Sequence, residues 1–325
     1  MALQELVRHV VTRDVISGHE GKSGAGLERV RLADGRVLVV KRIDPGADFT
    51  VAATSGPPGS EYLLWRAGAF DRLPSGVSHA LVDAWLEDGS TVLVMRDLGP
   101  AVCSWSRRLS AAEGAWVMER TADLHRAFLG DVPAEVAPLD KVLTLFAPDT
   151  IRPQADRGIE LMRVAQHGWE LFADEVAPEV SEAVFELLAD VRPLARALES
   201  GPVTMTHGDL ATVNMAFEGD TLVLIDWAMP TAAPGALDVA RFVAGCASVV
   251  DLSREQLLES YRRAAGPAYD ERSTGLALLS ALMWLGWNKA LDAVEHPDPL
   301  IRARERADLE WWVDHARAAL ETGDL

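Results

Sequence analysis

The run Thr206-His207-Gly208-Asp209-Leu210-Ala211-Thr212-Val213-Asn214, followed by Leu222-Val223-Leu224-Ile225-Asp226-Trp227, constrains this chain more than any other stretch. It places an Asp, an Asn five residues later, and a second Asp at the end of an apolar run that reads as a strand. Phosphoryl transfer from a nucleoside triphosphate uses such a trio. One carboxylate orients or deprotonates a hydroxyl, while an amide oxygen and a second carboxylate hold the metal that bridges the phosphates. Magnesium prefers oxygen ligands and usually takes only one or two carboxylates from a protein, so an Asn with an Asp is chemically sensible. The plainer alternative is a turn that happens to be rich in Asp and Asn, followed by an ordinary strand.

The rest of the chain divides into two characters. Residues 11–17, 27–32 and 37–43 are rich in Val, Leu and Ile and read as strands. The Asp34-Gly35 pair between the second and third is a strong hairpin signal. Residues 60–70 follow Pro57-Pro58-Gly59 with near-helical apolar spacing, and Ser60 is the expected N-cap. Residues 80–85 and 91–95 read as two more strands around the turn Glu87-Asp88-Gly89-Ser90. Beyond Leu98-Gly99-Pro100 the pattern is helical, over 111–128, 159–172, 181–198, 254–264, 275–293 and 301–322. Only the segments around Asp209 and residues 222–225 look strand-like there. The Pro-rich stretch 133–153 reads as an excursion or lid.

At 325 residues, with 49% hydrophobic and 25% charged residues, the chain has the composition of a globular protein with a sizeable core. The first residues lack the basic segment and apolar core of a signal peptide. The most apolar window, 276–285, is too short to span a bilayer and reads as a buried helix. Cys103 and Cys246 give no disulfide framework and no zinc motif, which fits a reducing cytoplasm. The net charge of −18 repels nucleic acid and anionic membrane surfaces and attracts cations. No nucleic-acid or membrane partner is expected. An amine-bearing acceptor suits that field, although plain solubility explains it equally well. Oligomeric state is left open.

The spacing His207-Gly208-Asp209, Asn214 and Ile225-Asp226 resembles the aminoglycoside phosphotransferase family, small-molecule relatives of protein kinases. That resemblance implies an α+β, two-lobed, protein-kinase-like fold. Residues 1–98 would form a β-rich nucleotide-binding lobe, and residues 99–325 a mostly helical lobe with the catalytic loop and acceptor pocket. It also implies Asp209 as catalytic base and Asn214 and Asp226 as ligands of Mg²⁺. Two departures stand out. Ala211-Thr212-Val213 replaces the frequent His-Pro-Gly, and Ala228 stands where many relatives have Gly.

Further candidates follow from the same likeness. Lys41 ends the run Val37-Leu38-Val39-Val40-Lys41 and resembles the kinase lysine that contacts the α- and β-phosphates. Glu61, early in the expected helix, is its preferred ion-pair partner, with Glu20, Glu28 and Asp44 as rivals. The loop containing Gly21, Lys22, Ser23 and Gly24 lies where kinases cover the phosphates, and its glycines let backbone N–H groups approach phosphate oxygens. It is not a P-loop, because Ile16 stands where that motif needs Gly. Asp97 and Leu98 occupy the hinge whose backbone would meet the purine, with ATP expected and GTP not excluded. His207 and Asp238 are expected to brace the catalytic loop. Trp284, Trp287, Trp311 and Trp312 read as core, with one or two able to line the acceptor pocket. Asp292, Glu295, Asp298 and Glu310 are candidate receivers of substrate amines. The function expected is ATP-dependent phosphorylation of a hydroxyl on a small molecule such as an aminoglycoside-like antibiotic or an amino sugar. The alternatives are a non-catalytic nucleotide-binding regulatory module and a metabolic sugar or amino-alcohol kinase. A protein kinase is disfavoured, since no Ala-Pro-Glu segment follows Asp226.

Overall fold

The computed structural model describes residues 3–16, 26–44, 46, 48–323 and 325. A short helix, α1 (Leu3–Arg8), precedes strands β1 (Thr12–Val15), β2 (Gly26–Arg31) and β3 (Val37–Ile43). Helices α2 (Phe49–Ala53) and α3 (Ser60–Arg66) and strand β4 (Val77–His79) come next. The hairpin β5 (Leu81–Glu87) and β6 (Ser90–Arg96) completes an antiparallel five-stranded sheet in the order β1-β2-β3-β6-β5. Alternation along β3 sorts its side chains. Leu38 and Val40 pack with Val7, Val30, Val92 and Val94, while Ile43 joins the main core with Leu64 of α3. Lys41, on the Ile43 face, is therefore turned toward α3. The β5–β6 turn has positive φ at Asp88 (51°) and Gly89 (83°), the geometry that favours Asp-Gly in tight hairpins.

The chain then becomes helical, with α4 (Ala111–Ala127), α5 (Leu139–Leu143), α6 (Pro148–Asp156), α7 (Glu160–Glu175), α8 (Pro178–Ala189) and α9 (Arg192–Glu199). Four short strands interrupt it: β7 (Val203–Thr206), β8 (Met215–Glu218), β9 (Thr221–Leu224) and β10 (Thr231–Pro234). β7 pairs with β10, and β8 pairs with β9. β9 also takes β4 as a parallel neighbour, which ties the first part of the chain to the strand leading into Asp226. Helices α10 (Ala236–Cys246), α11 (Arg254–Ala265), α12 (Glu271–Glu295) and α13 (Pro299–Glu321) close the molecule. The fold is thus α+β, with a β-rich front and a helical back. No helix among the described residues is long and apolar enough to cross a membrane.

Several sequence expectations need correction. The helix expected over 60–70 ends at Arg66, because Gly68 turns the backbone to φ +70° before a 3-10 turn at Ala69–Arg72. Its N-cap is Gly59, and Ser60 is the first helical residue. The single helix expected over 181–198 is two. Pro193 has no N–H to continue the helical ladder, and Asp190 accepts from the backbone N–H of Arg192 at 3.2 Å. The Pro-rich stretch is no lid. It holds α5 and α6, and Leu139, Val142, Leu143, Leu145 and Ile151 are buried. The indole N–H of Trp169 also donates to its Phe146 carbonyl at 2.8 Å. Helix α10, not foreseen, starts directly after Pro234-Gly235 and contains Gly245, which hides its pattern.

Candidate active site

The catalytic-loop candidate leaves β7 at Thr206 and is held by one buried carboxylate. Asp238, in the first turn of α10, accepts the backbone N–H of His207 at 2.7 Å and of Gly208 at 2.8 Å. Behind it, Tyr261 bonds His125 Nδ1 at 2.8 Å, and His125 Nε2 bonds Asp238 at 3.1 Å. Burial alone would raise the Asp238 pKa, but His125 and the loop N–H groups outweigh it and hold it below the ordinary carboxylate range. Gly208 has φ +84°, and a Cβ there would lie 1.8 Å from the Met229 carbonyl oxygen, so only glycine fits. His207 is fully buried. Its Nε2 bonds the Ile225 carbonyl at 3.1 Å, and its Nδ1 accepts the Asp209 backbone N–H at 3.3 Å. The imidazole links the loop to the strand before Asp226. Both of its ring nitrogens are engaged by backbone groups. His207 and Asp238 brace the loop as expected.

The 3-10 turn Thr212–Asn214 and the β8–β9 hairpin bring the other two members together. Asn214 Nδ2 donates to the Asp209 carbonyl at 2.8 Å and to Asp209 Oδ2 at 3.0 Å. The Ile225 N–H returns to the Asn214 carbonyl at 2.9 Å, so Asp226 lies one residue beyond that bond. Asp226 has φ +62°, a left-handed conformation uncommon outside glycine and tolerated by Asp. Both Asn214 N–H groups are spent on Asp209, which leaves the amide oxygen as its lone-pair donor. Asn214 and Asp226 therefore offer oxygen donors suited to a hard divalent cation. Among the described residues no group of three or more His, Cys, Asp or Glu could hold a metal, so a cation here would complete its shell with phosphate oxygens and water.

Lys41 reaches this site from the sheet. Its Nζ donates to Asp226 Oδ1 at 2.6 Å, across 185 residues of sequence, and lies 3.8 Å from Glu61 Oε2. Both Lys41 and Glu61 are buried. Burial opposes the Lys41 charge, but Asp226, Glu61 and Asp48 outweigh it and raise its pKa above the ordinary value. Glu61 is pushed up to about 7, first by burial and then by the neighbouring Asp226 carboxylate. Of the rivals, Glu28 pairs with Arg13 and Asp44 accepts from the Gly46 N–H, while Glu20 lies outside the described residues. Gly21, Ser23 and Gly24 also lie outside them. Asp97 is held by Arg29 at 2.7 Å and accepts the Gly99 N–H at 3.1 Å; Leu98 packs beside Ile225 against Ala80, Ala216 and Val223.

Sequence reasoning missed Arg241. This residue of α10 lies three positions past Asp238, and its Nη2 is 3.0 Å from Asp209 Oδ1. Its guanidinium lies over the Trp284 ring, 4.4 Å from the centroid. Trp284 and Arg241 border a cavity of about 20 Å³ that also touches Gly208, Leu237 and Ser280. Trp287 and Trp312 are core, and Trp311 stacks on His315. Three of the four acidic residues expected to receive amines have partners within the chain. Glu295 pairs with His167 at 2.9 Å, Asp298 caps α13, and Asp292, raised by burial, bonds Asn288 at 3.4 Å. Glu310 is exposed. A pocket of about 220 Å³ between α10 and α13 is lined instead by Glu255, Glu305 and Asp308 together with Arg254, Lys289 and Arg304, so its charges balance.

The model of the phosphotransferase enzyme family, APH, matches residues 87–274, more than half of the chain. No curated protein matches the sequence. Among solved structures, spectinomycin phosphotransferase APH(9)-Ia, in complex with ADP and spectinomycin, has a TM-score of 0.51 at 12% identity, covering 100% of this chain and 99% of its own. The aminoglycoside phosphotransferase APH(3'')-Id from Streptomyces rimosus has a TM-score of 0.51 at 17% identity, covering 86% and 97%. The choline kinase LicA from Streptococcus pneumoniae has a TM-score of 0.52 at 12% identity, covering 97% and 99%. At these identities the likeness concerns the fold, and the family match over residues 87–274 carries the assignment: the chain belongs to the phosphotransferase enzyme family, a family of small-molecule kinases.

Proposed function

We propose that the chain transfers the γ-phosphoryl group of ATP to a hydroxyl of a small, amine-bearing molecule. Asp209 accepts the hydroxyl proton as the oxygen attacks phosphorus and ADP departs. Asn214 and Asp226 would hold magnesium, which would supply positive charge to offset that of the phosphates. Lys41, kept in place by Glu61, contacts the phosphates that are not transferred. The backbone at Asp97 and Leu98 meets the purine, and the loop with Gly21, Ser23 and Gly24 covers the phosphates. Residues 1–98 form the nucleotide-binding lobe and residues 99–325 the lobe that holds the acceptor. Most of the rate would come from positioning and charge stabilisation.

The observation that carries this reading is the meeting of Lys41, from a distant strand, with Asp226, whose neighbour Ile225 is hydrogen-bonded to Asn214, the partner of Asp209. An ordinary turn would not collect a buried lysine from a distant strand. The amine preference rests on the net charge of −18. The two buried, unpaired thiols Cys103 and Cys246 suit a cytoplasmic enzyme.

Release of ADP from ATP, or of GDP from GTP, would be measured with and without magnesium against aminoglycosides, other basic antibiotics, amino sugars and choline-like alcohols. The expected result is magnesium-dependent release with one amine-bearing class. Its affinity should fall with salt as the Debye length shrinks from about 10 Å at 0.1 M to about 3 Å at 1 M. Nucleotide binding without release on any acceptor would favour a regulatory module. A preferred neutral acceptor would favour a metabolic sugar kinase.

A further inference from the structure

Arg241 is placed unusually for a structural residue. Its side chain is only 11% exposed, yet Nε and Nη1 are buried without hydrogen-bond partners. Burying a guanidinium with unmet donors is costly, so a purely structural arginine would be expected to have its donors satisfied. Two features keep it there. Trp284 supplies a ring face for the cation. Gly245, one helical turn on, leaves the room, since a Cβ at that position would lie 2.4 Å from Nη1.

The consequence falls on Asp209. Its Oδ1 is buried beneath Arg241 and ion-paired with Nη2 at 3.0 Å, outside hydrogen-bond geometry, while its Oδ2 accepts from the Asn214 amide at 3.0 Å. Contacts from two separate elements thus set the carboxylate plane. The side chain is 29% exposed, and with Oδ1 sealed the oxygen left to face solvent is Oδ2. We propose that Arg241 is a positioning residue for phosphoryl transfer: stacked on Trp284, it clamps Oδ1 of Asp209 and leaves Oδ2 as the oxygen that meets the acceptor hydroxyl. The inference rests on the reading of Asp209 as the base.

The test uses the full chain and an acceptor found in the ADP-release screen. R241A should lower kcat by about 10- to 100-fold, the cost of a misplaced reacting group, with KM for ATP unchanged. Guanidinium chloride at sub-denaturing concentration should restore part of the R241A rate, where equal sodium chloride does not, and R241K should retain more activity than R241A. Trp284→Phe touches Asp209 only through Arg241, so it should cost less and add nothing in the R241A background. A wild-type kcat in R241A overturns the proposal, as does a loss confined to KM for ATP. So does a folded R241A that guanidinium cannot rescue, or a Trp284→Phe loss that adds fully to R241A. If R241A does not fold, R241K and Trp284→Phe carry the comparison. An inactive Asp209→Asn beside a fully active R241A refutes only the clamp, whereas an active Asp209→Asn refutes the reading beneath it.

Discussion

Two buried cations end on carboxylates of the site, and their surroundings differ. Lys41 is one ammonium among Asp226, Glu61 and Asp48, an excess of acid that raises the Lys41 pKa against its burial, while burial, helped by Asp226, raises that of Glu61. Arg241 meets one carboxylate, Asp209, and is backed by the neutral ring of Trp284. The Lys41 side is therefore electrostatically incomplete and would gain from an added cation. The Asp209 side is balanced, one cation against one carboxylate, with only Oδ1 buried. This contrast suits a reaction in which a metal–nucleotide complex is recruited to one side, while a fixed base waits on the other.

The hardest test of the contrast is Asp209→Asn. It should cut transfer by roughly 10²- to 10⁴-fold, the usual worth of a positioned acid–base group, while nucleotide affinity survives because the Lys41 side is intact. ADP release and nucleotide binding, measured on one preparation, would separate the two. Near-wild-type turnover would remove Asp209 from the base role.

Asp226→Ala should do the reverse. It should weaken magnesium-supported nucleotide binding by more than the roughly 10- to 100-fold typical of groups that merely support a metal ligand. Calorimetric titrations with and without magnesium check this. An unchanged magnesium dependence would show that Asp226 is no ligand.

Within the acid-rich cluster, Lys41→Met should reduce turnover more than Glu61→Ala. The double mutant should lose less than the sum, with a coupling of about 0.5–3 kcal/mol, because both changes act on one contact. Strict additivity would mean that Glu61 does not position Lys41.

The smallest effect is in stability against pH. Glu61 is raised from 4.5 to about 7, so between those values the folded chain keeps a proton that the unfolded chain has released. Its contribution is therefore fully present below pH 4.5 and is lost as pH rises through about 7. The Tm of the wild type, compared with that of Glu61→Gln, should fall across this window, at roughly 2–4 °C for each kcal/mol. The subtraction removes the general self-repulsion of the acidic chain. A difference that stays constant would show that the Glu61 carboxyl is already ionised at low pH.

Much of the site was legible because backbone geometry alone sets it. Asp209 and Asn214 lie in one loop, and Asp226 follows one strand, so their spacing dictates their meeting. Period-two alternation likewise put Lys41 on the face opposite Val40. Gly208 could be read only as part of a motif; the Met229 carbonyl beside it shows why no other residue fits. What escaped depends on packing between distant segments. Position favoured Glu61 as the partner of Lys41, yet the shorter contact is to Asp226, because β4 pairing with β9 carries the end of that strand to the sheet. Arg241 had no signal, since an arginine on an unforeseen helix acquires its meaning only when Gly245 leaves space and Trp284 offers a ring. Local order follows from short-range sterics and periodicity, which the amino-acid order expresses directly. The environment of each charge follows from which surfaces exclude water together, and that is established when the helices close around the loop.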